Sequence, residues 1–175
     1  VIDSGVNYIL ISMGSSLGSE HTCGITSANE LKCWGKNNQD QLGDDSGVDQ
    51  SLPVPIDSSS SYQSVSLGEE FTCGVTSANE LKCWGDNLSF QLGDGTQSDK
   101  SLPVLIDSGV NYASVSLGSH SACGLTSLGT VKCWGNIGNE AFADGSVRYR
   151  LSPVSLDVGT SYADVSYPCA KTTAN

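Results

Sequence analysis

Cysteine is the residue type here with the most chemistry to offer, and six of the seven cysteines keep a strict spacing. Cys23 and Cys33, Cys73 and Cys83, and Cys123 and Cys133 form pairs ten residues apart, and each pair follows the last by 50 residues. Thiols so placed can bridge, bind a metal or lie buried as small apolar groups. Zinc sites favour closer paired spacing, and no histidine recurs beside these cysteines. The flanking residues favour a bridge. Thr22–Thr26 and Glu30–Trp34 are rich in β-branched and aromatic residues, which suit strands. If Cys23 faces Cys33, Thr26 faces Glu30 and Ser27-Ala28-Asn29 is a three-residue hairpin loop. Such loops place their last residue in the left-handed region, and the three copies offer Asn29, Asn79 and Gly129, residues that tolerate it. Opposed residues in a non-hydrogen-bonded antiparallel pair have Cα atoms about 4.5 Å apart, within disulfide reach. The spacing therefore predicts Cys23–Cys33, Cys73–Cys83 and Cys123–Cys133, each stapling one hairpin. Cys169 has no partner within the period, and a missing segment, another chain or a free thiol are all open to it.

The other reactive side chains do not assemble into a catalytic set. Catalysis needs unlike groups converging on one point, whereas near-identical repeats present the same groups over and over. His21 and His120 fall at non-equivalent places in the repeat and read as hairpin-end residues, so no enzyme activity is expected. Asp44, Asp45, Asp94 and Asp144 recur near Gly, Ser or Thr in polar loops and are the candidate binding-loop residues. Oxygen-rich loops leave calcium as an alternative, but the spacings match no defined calcium loop and Asx turns alone explain the composition. No other cofactor is expected. Asn87-Leu88-Ser89 is an N-glycosylation acceptor sequence.

The elements that position these groups follow from the 50-residue period, the mark of a repeat architecture. Alternation places Ile25, Leu31 and both cysteines on one face, and Lys32 and Trp34 on the other. Trp34, Trp84 and Trp134 read as packing anchors between neighbouring sheets. After each hairpin comes a long polar loop with one apolar anchor, Leu42, Leu92 or Phe142. A strand with Pro53, Pro103 or Pro153 follows, which lies at an edge or begins at the proline, because proline cannot donate to the ladder. Asp57, Asp107 and Asp157 precede a turn. Then comes a cleanly alternating run, such as Tyr62–Gly68, which reads as an inner strand. Ser15-Ser16-Leu17-Gly18 reads as a local insertion. The tail from Tyr167 breaks the pattern, and no hairpin is expected there. One period thus holds about four short strands, the signature of a propeller blade. The fold class is all-β, with blades of four antiparallel strands, about three and a quarter in all. The units are 1–57, 58–107 and 108–157, with a partial fourth at 158–175.

Composition bounds the partners. The net charge of −11 argues against nucleic-acid binding, which needs clustered Lys and Arg. An acidic surface keeps a chain soluble and can attract a basic partner. No apolar run reaches the roughly 18 residues of a membrane span, so no membrane insertion is expected. Paired cysteines point to an oxidising compartment, extracellular, cell-surface or periplasmic. The first residues do not read as a signal peptide, so a mature protein or a fragment is expected.

The pattern Cys-x-x-Thr … Leu-Lys-Cys-Trp-Gly-x-Asn … Gln-Leu-Gly-Asp-Gly-Thr at Cys73–Thr96 resembles the regulator of chromosome condensation repeat. The cysteine-bearing form is similar to repeats of secreted and cell-surface bacterial proteins. The resemblance weakens at Glu140-Ala141-Phe142-Ala143, and Asp40 and Phe90 stand where the family has Gly before Gln-Leu-Gly. It implies a seven-bladed propeller, of which this chain supplies too few blades to close a ring; a longer chain or a second chain would complete it. The nucleotide-exchange and chromatin roles of the nuclear members are not carried over. A relative that inhibits a β-lactamase through its loop face makes protein binding the default. The expected function is a non-catalytic extracellular or cell-surface module for protein or glycan binding and adhesion. The alternative is a structural subunit that assembles into a ring, fibre or surface layer.

Overall fold

The computed structural model describes residues 3–14, 20–137, 149–156, 159–166 and 169–172. The described residues contain fourteen strands and no helix. They form three four-stranded antiparallel sheets and one two-stranded sheet. The first is β1 (Tyr8–Met13), β2 (His21–Thr26), β3 (Leu31–Gly35) and β4 (Gln50–Ile56), in chain order. The second repeats it with β5 (Tyr62–Leu67), β6 (Phe71–Thr76), β7 (Leu81–Gly85) and β8 (Lys100–Ile106). The third does so with β9 (Tyr112–Leu117), β10 (Ser121–Thr126), β11 (Val131–Asn136) and β12 (Tyr149–Ser155). A last pair, β13 (Tyr162–Ser166) and β14 (Cys169–Thr172), begins a fourth.

The hairpin register is the one the loop residues dictate. Cys23 faces Cys33, Cys73 faces Cys83 and Cys123 faces Cys133. All three pairs are bridged, with Cα atoms 4.1 Å apart. Asn29, Asn79 and Gly129 take φ of 61°, 63° and 80°, and the Thr26 and Thr76 amides donate to Glu30 and Glu80 carbonyls across the loop. The proline-bearing strands β4, β8 and β12 lie at sheet edges.

Two expectations need correction. The Tyr-led strands β1, β5 and β9 are not interior to their sheets; each is the opposite edge. They lie beside one another, β1 by β5, β5 by β9 and β9 by β13, so the sheets pack through these first strands. Their clean alternation reflects burial against the neighbouring sheet. The tail also forms a hairpin: Ser166 faces Cys169 and Tyr162 faces Thr172. That register matches Ser116 on Cys123 and Tyr112 on Thr126, so Cys-Ala-Lys-Thr takes the place of Cys-Gly-Leu-Thr after a shorter turn. The sequence signal was hidden because the Leu-Gly run that marks this turn elsewhere is missing. The Ser15–Gly18 insertion, the Glu140–Ala143 departure, Phe142 and Asp157 lie outside the described residues.

The core lies between blades. The disulfide face of the first sheet (Cys23, Ile25, Leu31, Cys33) packs with Leu42 and Ile56 against Tyr62, Val65, Leu67 and Trp84 of the second. The second sheet's disulfide face meets Tyr112, Val115 and Trp134 of the third in the same way. The third meets Val165 and Tyr162. Small residues seat the large ones. A Cβ on Gly43 or Gly93 would lie 2.6 or 2.5 Å from the ring of Trp84 or Trp134, so only glycine admits the indole.

Candidate binding surface

Antiparallel order sends successive connections to alternate ends of the sheets. The short hairpin loops and the links between blades share one end. The long polar loops, 36–49 and 86–99, and the turns before β2, β6 and β10 share the other, called here the wide-loop end.

At the hairpin end, one aspartate per full blade is neutralised by a recurring motif. Tyr8 and Lys32 both donate to Asp3 Oδ2, each at 2.9 Å. Tyr62 and Lys82 donate to Asp57 at 2.8 and 2.7 Å, and Tyr112 and Lys132 to Asp107 at 2.7 and 2.6 Å. Each clasp ties the chain entering a blade to that blade's hairpin. Burial works against the Asp57 carboxylate, but hydrogen bonds from Lys82, Ser59, Tyr62 and Ser60 outweigh it and hold the group at about 2. Burial, and then the same carboxylate, push the Tyr62 phenol well above its usual range. The recurring Asp is visible in the sequence, but its link to Tyr and Lys is not; the available signal is that Asp107, Tyr112 and Lys132 follow Asp57, Tyr62 and Lys82 by 50 residues each.

At the wide-loop end, the two described loops are braced from within. Asn37 and Asn87 are fully buried. Asn37 Nδ2 donates to Asp44 Oδ1 (2.9 Å), its Oδ1 accepts from Leu42 N (3.0 Å), and its own amide donates to Asp49 (2.8 Å). Asn87 does the same with Asp94, Leu92 N and Asp99. Asp44 and Asp94 also accept from the amide and hydroxyl of Ser46 and Thr96. These two carboxylates therefore hold loop shape, and Asp94 also meets Lys100 at 3.0 Å. Asp45 reaches across to the next blade, where its side chain accepts from Ser101 Oγ (2.5 Å) and its amide donates to Ser101 O (3.1 Å). Asp144 lies outside the described residues. Among the described residues no group of three or more His, Cys, Asp or Glu side chains is placed to hold a metal ion.

The tryptophans mark the seams. Trp84 Nε1 donates to Gln41 O (3.1 Å) and Trp134 Nε1 to Gln91 O (2.9 Å), both fully buried. Trp34, on the face of the first sheet that no described blade covers, is only partly buried and packs edge-on to Tyr8. His21 is buried at the first seam, within hydrogen-bonding distance of Thr72 Oγ1 (2.9 Å), while His120 lies 3.9 Å from Glu69 at the second. The two histidines thus serve different seams.

Two loop positions depart from the repeat together. Asp40 and Phe90 are equivalent and both adopt the left-handed conformation, with φ of 58° and 61°. Asp40 is partly buried within electrostatic reach of Asp99, Asp45 and Asp44; burial first, then these charges, raise its carboxyl above the usual range. Phe90 instead stacks on Tyr149, the residue equivalent to Asp99, with centroids 5.5 Å apart and planes 19° apart.

Such blades, with buried seams and braced loops at one end, define a β-propeller repeat. Residues 16–41 and 62–91 match one model of the regulator of chromosome condensation (RCC1) repeat, and residues 31–75 match another. Residues 16–91 are therefore repeats of the regulator of chromosome condensation family. Among solved structures the chain is similar to human WBSCR16, at 18% identity and TM-score 0.78 over 92% of this chain and 42% of that one. It is also similar to Prp20p of Saccharomyces cerevisiae, described with its binding to Gsp1p and histones, at 19% identity and TM-score 0.78 over 95% and 42%. The receptor kinase CR4 ectodomain of Physcomitrella patens matches at 21% identity and TM-score 0.56 over 94% and 36%. These likenesses show the fold, and the chain spans well under half of each of these proteins. No curated protein matches it. No helix among the described residues is long and apolar enough to cross a membrane.

Proposed function

We propose that this chain is a non-catalytic binding module of an extracellular or cell-surface protein, and that its wide-loop end engages a basic protein partner. Three buried disulfides support the oxidising compartment. The observation that carries the reading is the segregation of charge. Among the described residues, Glu20, Asp40, Asp44, Asp45, Asp49, Glu69, Glu70, Asp86, Asp94 and Asp99 gather at the wide-loop end, against Lys36, Lys100 and Arg150. Among the described residues the hairpin end carries Asp3, Asp57 and Asp107, each closed by its own lysine, with Glu30 and Glu80 beside the hairpin loops. A field of one sign on one end steers a partner of the other sign. The partners of Prp20p show that proteins of this fold bind other proteins.

The test compares equal charge changes at opposite ends. Glu20→Lys with Glu69→Lys is expected to weaken binding of a tetra-lysine peptide and flatten its salt dependence, while Glu30→Lys with Glu80→Lys leaves both nearly unchanged. Equal losses from both pairs would assign the binding to net charge and overturn the reading.

Self-association is a second reading with one observation in its favour. Ile11 and Met13 are 57% and 71% exposed, whereas Val65 and Leu67, one repeat on, are each 6% exposed against the preceding blade. Sedimentation over a range of concentrations tests it: a constant monomer mass argues against it, and Ile11→Asp should dissolve any assembly that forms.

A further inference from the structure

We infer that the Phe90–Tyr149 pair at the second seam is a binding site for an arginine side chain of a basic partner; the inference rests on the reading of the wide-loop end given above. The two seams have equivalent frameworks. At the first, Asp45 N donates to Ser101 O at 3.1 Å; at the second, Gly95 N donates to Leu151 O at 2.9 Å, and these are the same positions one repeat on. Within that shared frame, Asp40 facing Asp99 is replaced by Phe90 facing Tyr149. Both members of an acidic pair have become aromatic, and they contact each other.

The exchange is costly by the usual rules. A bulky residue at positive φ is strained, and a phenyl ring there lacks the local hydrogen bonds that let Asp or Asn tolerate it. Strain of this kind persists where the surroundings enforce it and gathers at ligand sites. The rings are not sealed into the core. Tyr149 is 54% exposed, Phe90 is partly exposed, and Leu88 in the same loop is 65% exposed. Arg150, next in the chain, is buried, and its Nη1 donates to Val154 O at 3.5 Å. The loop that presents Phe90 also carries Asp86, Asp94 and Asp99, which are hydrogen-bonded within it and contribute a negative field rather than ligands. An exposed aromatic platform in a field of carboxylates is complementary to a planar cation. Guanidinium stacks flat on such a face, held by the negative field, with its in-plane donors left for water and backbone carbonyls. An ammonium is a compact, strongly hydrated point charge that cannot stack. A neutral sugar ring would use the platform but not the charge.

The experiment titrates the unaltered chain with acetylated tetra-arginine, tetra-lysine and tetra-glutamine peptides at low salt, by calorimetry and by NMR of the aromatic signals. Tetra-arginine is expected to bind about threefold tighter than tetra-lysine, with shifts at the Phe90 and Tyr149 rings, and tetra-glutamine not to bind. Phe90→Asp and Tyr149→Asp restore the residues that the first seam already accommodates. Each should abolish the preference for tetra-arginine over tetra-lysine, while the added carboxylate strengthens the charge-driven binding of both peptides alike. Equal affinities of the two basic peptides for the unaltered chain, or an arginine preference that survives both variants, would overturn the inference and leave the acidic-end reading standing. Binding of neither basic peptide would overturn both. Should Phe90→Asp fail to fold, the ring shifts in the unaltered chain decide: signals that stay in place as tetra-arginine binds would overturn the inference.

Discussion

At the scale of single residues, side chains that look like surface polar groups in the sequence are structural fasteners. Asp57 is the clearest. Its folded value of about 2 lies below the ordinary carboxylate value of 3.8. A depressed folded value means that stabilisation is complete above about pH 4 and is lost as pH falls towards 2. Asp57→Asn should therefore lower stability by about 2 kcal/mol at pH 7. The gap from the unaltered chain should close in melts run from pH 4 to pH 2; a gap independent of pH would mean that the clasp is packing alone. Asp40 is the opposite case, a carboxylate crowded by others in a backbone conformation glycine prefers. Asp40→Gly should raise stability by on the order of 1 kcal/mol, read by urea denaturation at neutral pH. Asn87 shows how a motif is cancelled by its surroundings. Its amide is fully buried and donates to Asp94 and the Thr96 carbonyl, so a glycan there excludes the native loop. Chain secreted by a glycosylating host should have unmodified mass at Asn87, and folded material carrying a glycan there would contradict the loop structure.

At the scale of elements, what the sequence made legible and what it hid divide along one physical line. Local rules exposed the hairpins: the three-residue loops, the left-handed Asn or Gly and the opposed cysteines all depend on residues within ten positions of one another. The same holds for the edge strands, because proline announces its missing donor. Relations across a seam were hidden, since nothing near Trp84 in the chain says that its indole will find Gln41 O. The charge segregation of the two ends became visible only when alternate connections were sorted by direction. The tail hairpin was missed because its turn lost the residues that mark it elsewhere. The staple itself is testable as an element. Replacing Cys73 and Cys83 by Ser removes a bridge closing a ten-residue loop and should cost about 2–3 kcal/mol under oxidising conditions. The difference should shrink in reducing buffer, where both chains lack the bond.

At the scale of the whole molecule, the main strand contacts between described blades join neighbours in the chain, so stability is built seam by seam. The two faces of the array accordingly tolerate change unequally. Ile11→Asp on the open face should shift stability by less than about 0.5 kcal/mol, whereas Val65→Asp, the same position inside a seam, should cost more than about 4 kcal/mol. Similar effects in paired melting curves would mean that both positions share one environment. The bridges have a mechanical consequence too. Each spans only ten positions, so a chain drawn out by its two ends cannot pay out the segment between its cysteines. Every intact bridge withholds about 35 Å of contour, and the three together withhold roughly 100 Å. Under load the oxidised chain is a shorter tether than the reduced one, with its reach set by redox state.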